Sequence, residues 1–98
     1  MNQITKVSDI TAADLAEYIR LDEVTAADTQ TLNNLLLVAK NYIIQYTGRE
    51  DLDEFDDFVI VVFILVQDMW DNRILYVERN NLNHVVSSIL DLHAVNLL

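Results

Sequence analysis

The chain contains no cysteine and no proline, a single glycine, and only six cations against sixteen acids. Without cysteine there are no disulfides, no thiolate metal sites and no cysteine nucleophile, a usage that fits a reducing compartment. Proline interrupts helices and glycine ends them. A chain almost free of both favours helices joined by short polar connectors. The shortage of cations leaves a net charge of −10. That charge repels phosphate backbones and argues against ordinary DNA or RNA binding. Long hydrophobic runs are missing too. The longest, residues 58–66, has nine members, whereas a membrane-spanning helix needs about 20. Residues 1–14 carry no apolar block behind a basic region, so no signal peptide is expected. The chain is expected to be soluble and intracellular, with no membrane partner.

What is present is a hydrophobic fraction of 52% in 98 residues. This excludes intrinsic disorder and leaves room for one compact domain, residues 1–98. A domain of this size hides only roughly 60–65% of its unfolded surface, so contacts with partners carry weight.

Four helices are expected. Thr11-Ala12-Ala13-Asp14 is a capping signal, in which the threonine oxygen accepts a backbone N–H and an acid sits in the first turn. A helix over 11–19 follows, with Ile10, Leu15, Tyr18 and Ile19 as its apolar side and Arg20 where a cation suits the helix C-terminus. The same tetrapeptide recurs as Thr25-Ala26-Ala27-Asp28 and marks a second start, with Asp28 or Thr29 as equally good caps. In its body Leu32, Leu35, Leu36, Ala39, Tyr42, Ile43 and Tyr46 keep helical spacing. Gly48 stands where a left-handed turn ends a helix.

Residues 50–57 hold six acids in eight positions and read as a solvated connector running into a helix N-terminus. The β-branched run 58–66 suits a buried strand. No second strand pattern exists to pair with it, however, and no breaker separates it from residues 67–73. One helix over about 54–73 is expected, apolar all round in its first half and therefore central. A last helix is expected over about 82–92, lined by Leu82, Val85, Val86, Ile89 and Leu90. Val95, Leu97 and Leu98 form an apolar terminus suited to docking. The fold class is all-α: a small bundle of about four helices around a central hydrophobic one.

Chemistry-bearing patterns are sparse. The acidic stretch lacks the glycine and the regular oxygen spacing of a calcium loop. His84 and His93 are nine residues apart, not the four that place a zinc pair on one helix face. Nucleophile elbows, phosphate-cradling glycine loops and dinucleotide fingerprints are absent. No enzymatic activity, metal or cofactor is expected. Trp70, Arg73 and Tyr76 suit a partner-facing patch, since aromatics and arginine concentrate at interface hot spots; Trp70 packed in the core beside Met69 is the equal alternative. Arg20, Arg49 and Arg73 are scarce cations suited to pairing with carboxylates, inside the subunit or across a subunit boundary.

The order of these pieces resembles a known family. Asp14-Leu15-Ala16-Glu17-Tyr18-Ile19-Arg20-Leu21-Asp22 is similar to the L-K-x-Y-L-R-I-D opening of phage head–tail connector proteins. In that family an acid, a leucine-rich helix with a mid-helix alanine and a T-G-R ending follow. Here these are Asp28, the stretch 32–39 and Thr47-Gly48-Arg49. A hydrophobic helix then ends in an aromatic or histidine, two residues and Arg, matched by Trp70-Asp71-Asn72-Arg73. The resemblance runs from about residue 14 to 91. Two features depart from the pattern: the family's proline before a later helix is missing, and the aromatic is tryptophan.

The resemblance implies a non-catalytic structural adaptor of a tailed phage or prophage, serving DNA packaging and head completion. Copies would form a homo-oligomeric ring between the portal protein and tail-side completion proteins, with DNA passing through the channel unbound. The implied location is the head–tail junction of the virion, and the host cytoplasm before assembly. The interface residues expected on this reading are Arg20, Arg49, Trp70, Arg73, Tyr76, Leu97 and Leu98. The alternative is an acidic helical interaction module, or a DNA mimic with a regulatory role.

Overall fold

A computed structural model describes residues 4–95. Four α-helices follow in chain order: α1 (Ala12–Ile19), α2 (Ala26–Thr47), α3 (Phe58–Asn72) and α4 (His84–His93). Single 3-10 turns occupy Val7–Asp9, Leu52–Glu54 and Arg79–Asn81. The all-α expectation holds, and the run 58–66 is helix throughout.

Local chemistry explains the first two helix starts. At α1 the Thr11 side chain accepts the Asp14 N–H at 3.2 Å, and the Asp14 carboxylate accepts the Thr11 N–H at 2.9 Å. At α2, Thr25 and Asp28 repeat the exchange at 3.0 and 3.1 Å. Each box satisfies two backbone donors that the helix cannot. Thr25, rather than Asp28 or Thr29, is therefore the cap. Gly48 ends α2 at φ +74°, a conformation that costs glycine no steric penalty.

The third helix begins four residues later than expected. Leu52 is buried, and Leu52–Glu54 is a 3-10 turn, so the acidic connector folds inward on one apolar side chain. Phe55 is then extended, and α3 begins at Phe58 behind Asp57. The fourth helix also shifts, to His84–His93, because the Asn83 side chain accepts the Val85 N–H at 2.8 Å and caps it there.

The core is built around α3, whose Phe58, Val59, Val61, Val62, Phe63, Leu65, Val66 and Met69 are all buried. α2 supplies Leu32, Leu35, Leu36, Ala39 and Ile43 from one stripe, with Tyr42 and Tyr46 half-buried at its edge. α1 adds Leu15 and Ala16, and its Tyr18 ring meets Phe63 with centroids 5.0 Å apart. Val86 and Leu90 of α4 close the remaining side. Of the residues expected to line α4, Val85 instead faces solvent, while Leu82 and Ile89 are half-buried. Each fully buried aliphatic or aromatic side chain contributes about 1.5–3 kcal/mol. The N-terminal segment buries Val7 and Ile10 in this core, and at the surface Ser8 donates its N–H and hydroxyl to the two carboxylate oxygens of Asp53, at 3.0 and 2.7 Å.

Candidate functional site

Three places on the surface gather the side chains that the sequence singles out. The first is the junction where the ends of α2 and α4 meet the start of α3. Arg49, just past Gly48, donates Nε–H to the His93 carbonyl at 2.6 Å and lays its guanidinium over the Phe55 ring at 4.8 Å. His93 donates Nε2–H to Asp57 Oδ2 at 2.8 Å and packs its ring against Phe55 and Phe58. The Val95 N–H reaches the Thr47 carbonyl at 2.7 Å. The Tyr46 hydroxyl donates to Asp91 Oδ1. This bond, helped by burial and by the Asp91 charge, pushes the Tyr46 phenol up to about 12.

These contacts lie within one chain and lock α4 down. Arg49 is thus engaged inside the subunit, one of the two settings expected for it, and its partners there are a backbone carbonyl and an aromatic ring. His93 has a structural role, and its carboxylate partner is 36 residues away in sequence.

The second place is the C-terminal end of α3. Trp70 is half-buried and lines a depression of about 350 Å³ with Arg73, Leu75, Asp28, Thr31 and Leu35. Arg73 and Tyr76 are exposed on the segment that leaves the helix. Arg73 ends α3 at φ +57°, and Arg20 ends α1 at φ +67°. In both, the next residue closes a Schellman turn: Leu21 N–H to the Ala16 carbonyl at 3.0 Å, and Ile74 N–H to the Met69 carbonyl at 3.1 Å. Arginine pays a steric cost in this conformation that glycine does not.

Asp68 lies nearby, on the wall of a second cavity shared with Asn72, Val77 and Leu82. Burial raises its carboxyl, and the Asp71 charge adds to the effect.

The third place is a groove on the outer side of α2. It is lined by the apolar Leu37, Ile44 and Leu52, by Lys40, and by the acids Glu50, Asp51 and Asp53. The hydrogen bonds from Ser8 hold the Asp53 carboxyl below the usual aspartate range. The sequence reading did not single out Leu37, although a leucine off the apolar stripe of α2 is the signal that would have found it.

Leu97 and Leu98 lie outside the described residues. Among the described residues no cluster of three or more His, Asp or Glu side chains is placed to hold a metal ion. No described helix is long and apolar enough to cross a membrane. No family model, curated protein or solved structure matches this chain.

Proposed function

We propose that this chain is a non-catalytic structural adaptor of a tailed phage or prophage. Copies form a ring between the portal protein and tail-side completion proteins, and DNA passes through it without specific binding. One observation carries the reading. The arginine or Thr-Gly-Arg that closes three of the stretches resembling the connector family falls at a helix C-terminus: Arg20 at the end of α1, Gly48 and Arg49 at the end of α2, and Arg73 at the end of α3. These three matched ends mark equivalent joints in a helical chain.

Further support comes from the surface. Exposed apolar side chains on a small domain suit contacts with neighbouring copies. An acidic body repels DNA phosphates and lets a duplex slide. The reading is tested by mixing the chain with portal rings of tailed phages and imaging the product by electron microscopy. A ring of added density on one face of the portal is expected. A portal that remains bare at saturating chain concentration overturns the proposal.

The alternative, an acidic module that occupies a basic partner, draws on Glu50, Asp51, Asp53, Glu54 and Asp56, all exposed around one turn. Competition with DNA for a basic nucleic-acid enzyme separates it from the adaptor reading.

A further inference from the structure

Two features of the surface carry apolar side chains that stay exposed, Leu75 and Tyr76 in one and Leu37 in the other, while Ile44 and Leu52 beside Leu37 pack on the core. One is a knob, Leu75 and Tyr76, which are 70% and 57% exposed on the segment following α3. The other is the groove of Leu37, Ile44 and Leu52, in which Leu37 is 58% exposed. They cannot meet within one molecule. The knob side of the protein is the side of Asp28, Thr31 and Leu35, at the beginning of α2. The groove follows α2 from Leu37 to Ile44 and on to the connector beyond. Asp28 and Ile44 are separated by about 24 Å of helix at 1.5 Å per residue. Leu35 and Leu37 point about 160° apart around the helix axis. Knob and groove thus lie on opposite sides of α2 and face opposite ways.

We propose that the groove is the seat for the knob of a second copy of this chain. Leu75 and Tyr76 of one copy cover Leu37 and Ile44 of the next. The exposed Arg73 beside the knob meets Glu50 and Asp51 of the groove, and Glu78 meets Lys40. The knob holds its shape because the Schellman turn at Arg73 and Ile74 fixes how the chain leaves α3. Such a contact joins two different patches, so it repeats head to tail and yields a ring where the rotation closes. The inference rests on the proposed function for ring closure alone; the pairwise contact is a separate claim.

The chain has no cysteine, which makes disulfide trapping direct. A Leu37→Cys/Tyr76→Cys double variant is oxidised under mild conditions and compared with a Ser88→Cys/Tyr76→Cys control, Ser88 being exposed on α4. The first pair gives a ladder of dimers, trimers and higher species, and the control does not. Adding Arg73→Glu lowers the ladder yield about tenfold, the effect of one lost charge contact turned repulsive. Adding Glu50→Lys and Asp51→Lys to that variant restores the ladder. All these positions are exposed, and circular dichroism checks that each variant stays helical.

A missing ladder, one equal to the control, or one indifferent to Arg73→Glu overturns the contact. Portal imaging separates this failure from that of the adaptor reading. A chain that coats the portal without the 37–76 cross-link refutes only this contact. A chain that cross-links but leaves the portal bare refutes only the adaptor.

Discussion

The imidazole of His93 and the carboxylate of Asp57 join the last turn of α4 to the first residue ahead of α3 through a 2.8 Å hydrogen bond. The second oxygen of Asp57 is buried with no hydrogen-bond partner among the described residues. Removing the histidine therefore strands a partly buried carboxylate and uncovers two phenylalanine rings. His93→Ala is expected to lower stability by about 2 kcal/mol. Asp57→Ala costs a similar amount, and the double variant costs less than their sum, because both remove the same contact. Urea unfolding of the four proteins measures this directly.

Tyr46 offers a spectroscopic signature of the same junction. Its phenol ionises near 12 instead of 10, so an absorbance titration should show one of the four tyrosines ionising late. Asp91→Asn removes the charged acceptor and brings that step back toward 10. The sign for stability follows from linkage. The unfolded phenol ionises first, so this group costs the fold stability progressively above about pH 10.

The raised Asp68 carboxyl gives a prediction at the acid end. A carboxylate that the fold holds above its unfolded value opposes folding once it is charged. That cost is absent below the unfolded aspartate value of about 3.9 and complete above the folded one. Asp68→Asn should therefore raise the thermal midpoint at pH 7 and leave it unchanged at pH 3. Equal shifts at both pH values would assign the effect to something other than charge.

Arg20 and Arg73 occupy left-handed helix ends. Arg20→Gly is expected to stabilise the chain by about 0.5–1 kcal/mol, the steric relief being partly offset by the extra freedom of glycine when unfolded. Arg73→Gly should stabilise the monomer similarly while weakening any association that uses the guanidinium. Thermal melts and native mass spectrometry read the two effects separately.

Leu36→Asp tests the register of α2. Leu36 is buried in the α2 stripe, and an unpaired charge there costs about 4 kcal/mol, a large share of the stability of a small domain. Loss of helical signal at 25 °C is expected, and a variant that melts like the parent would mean the apolar face lies elsewhere.

Features set by near neighbours in the chain were the legible ones. Thr11 with Asp14, Thr25 with Asp28, and Gly48 each act within four residues, so helix ends at 11 and 48 could be read directly, and the start near 25 to within a few residues. The start of α3 was not legible. Nothing local separates residues 54–57 from the apolar run behind them; the boundary arises because Leu52 finds the core and Asp57 finds His93. The left-handed turns at Arg20 and Arg73 were hidden for the opposite reason, since arginine is not the residue that signals one. At the candidate surface, the grouping of Trp70 with Arg73 was visible from their spacing. An engagement of Arg49 inside the subunit was one of the readings open, but its partners, Phe55 and His93, were not legible, because both are settled by tertiary packing.

The place of α4 in the chain has a consequence for the order of folding. The side-chain contacts that hold it reach back 36 to 45 residues, so they form only once α4 has been synthesised after the other three helices. A nascent chain therefore assembles its first three helices with Phe55 and Phe58 still uncovered. The final ten-residue helix acts as the stopper that ends this sticky interval.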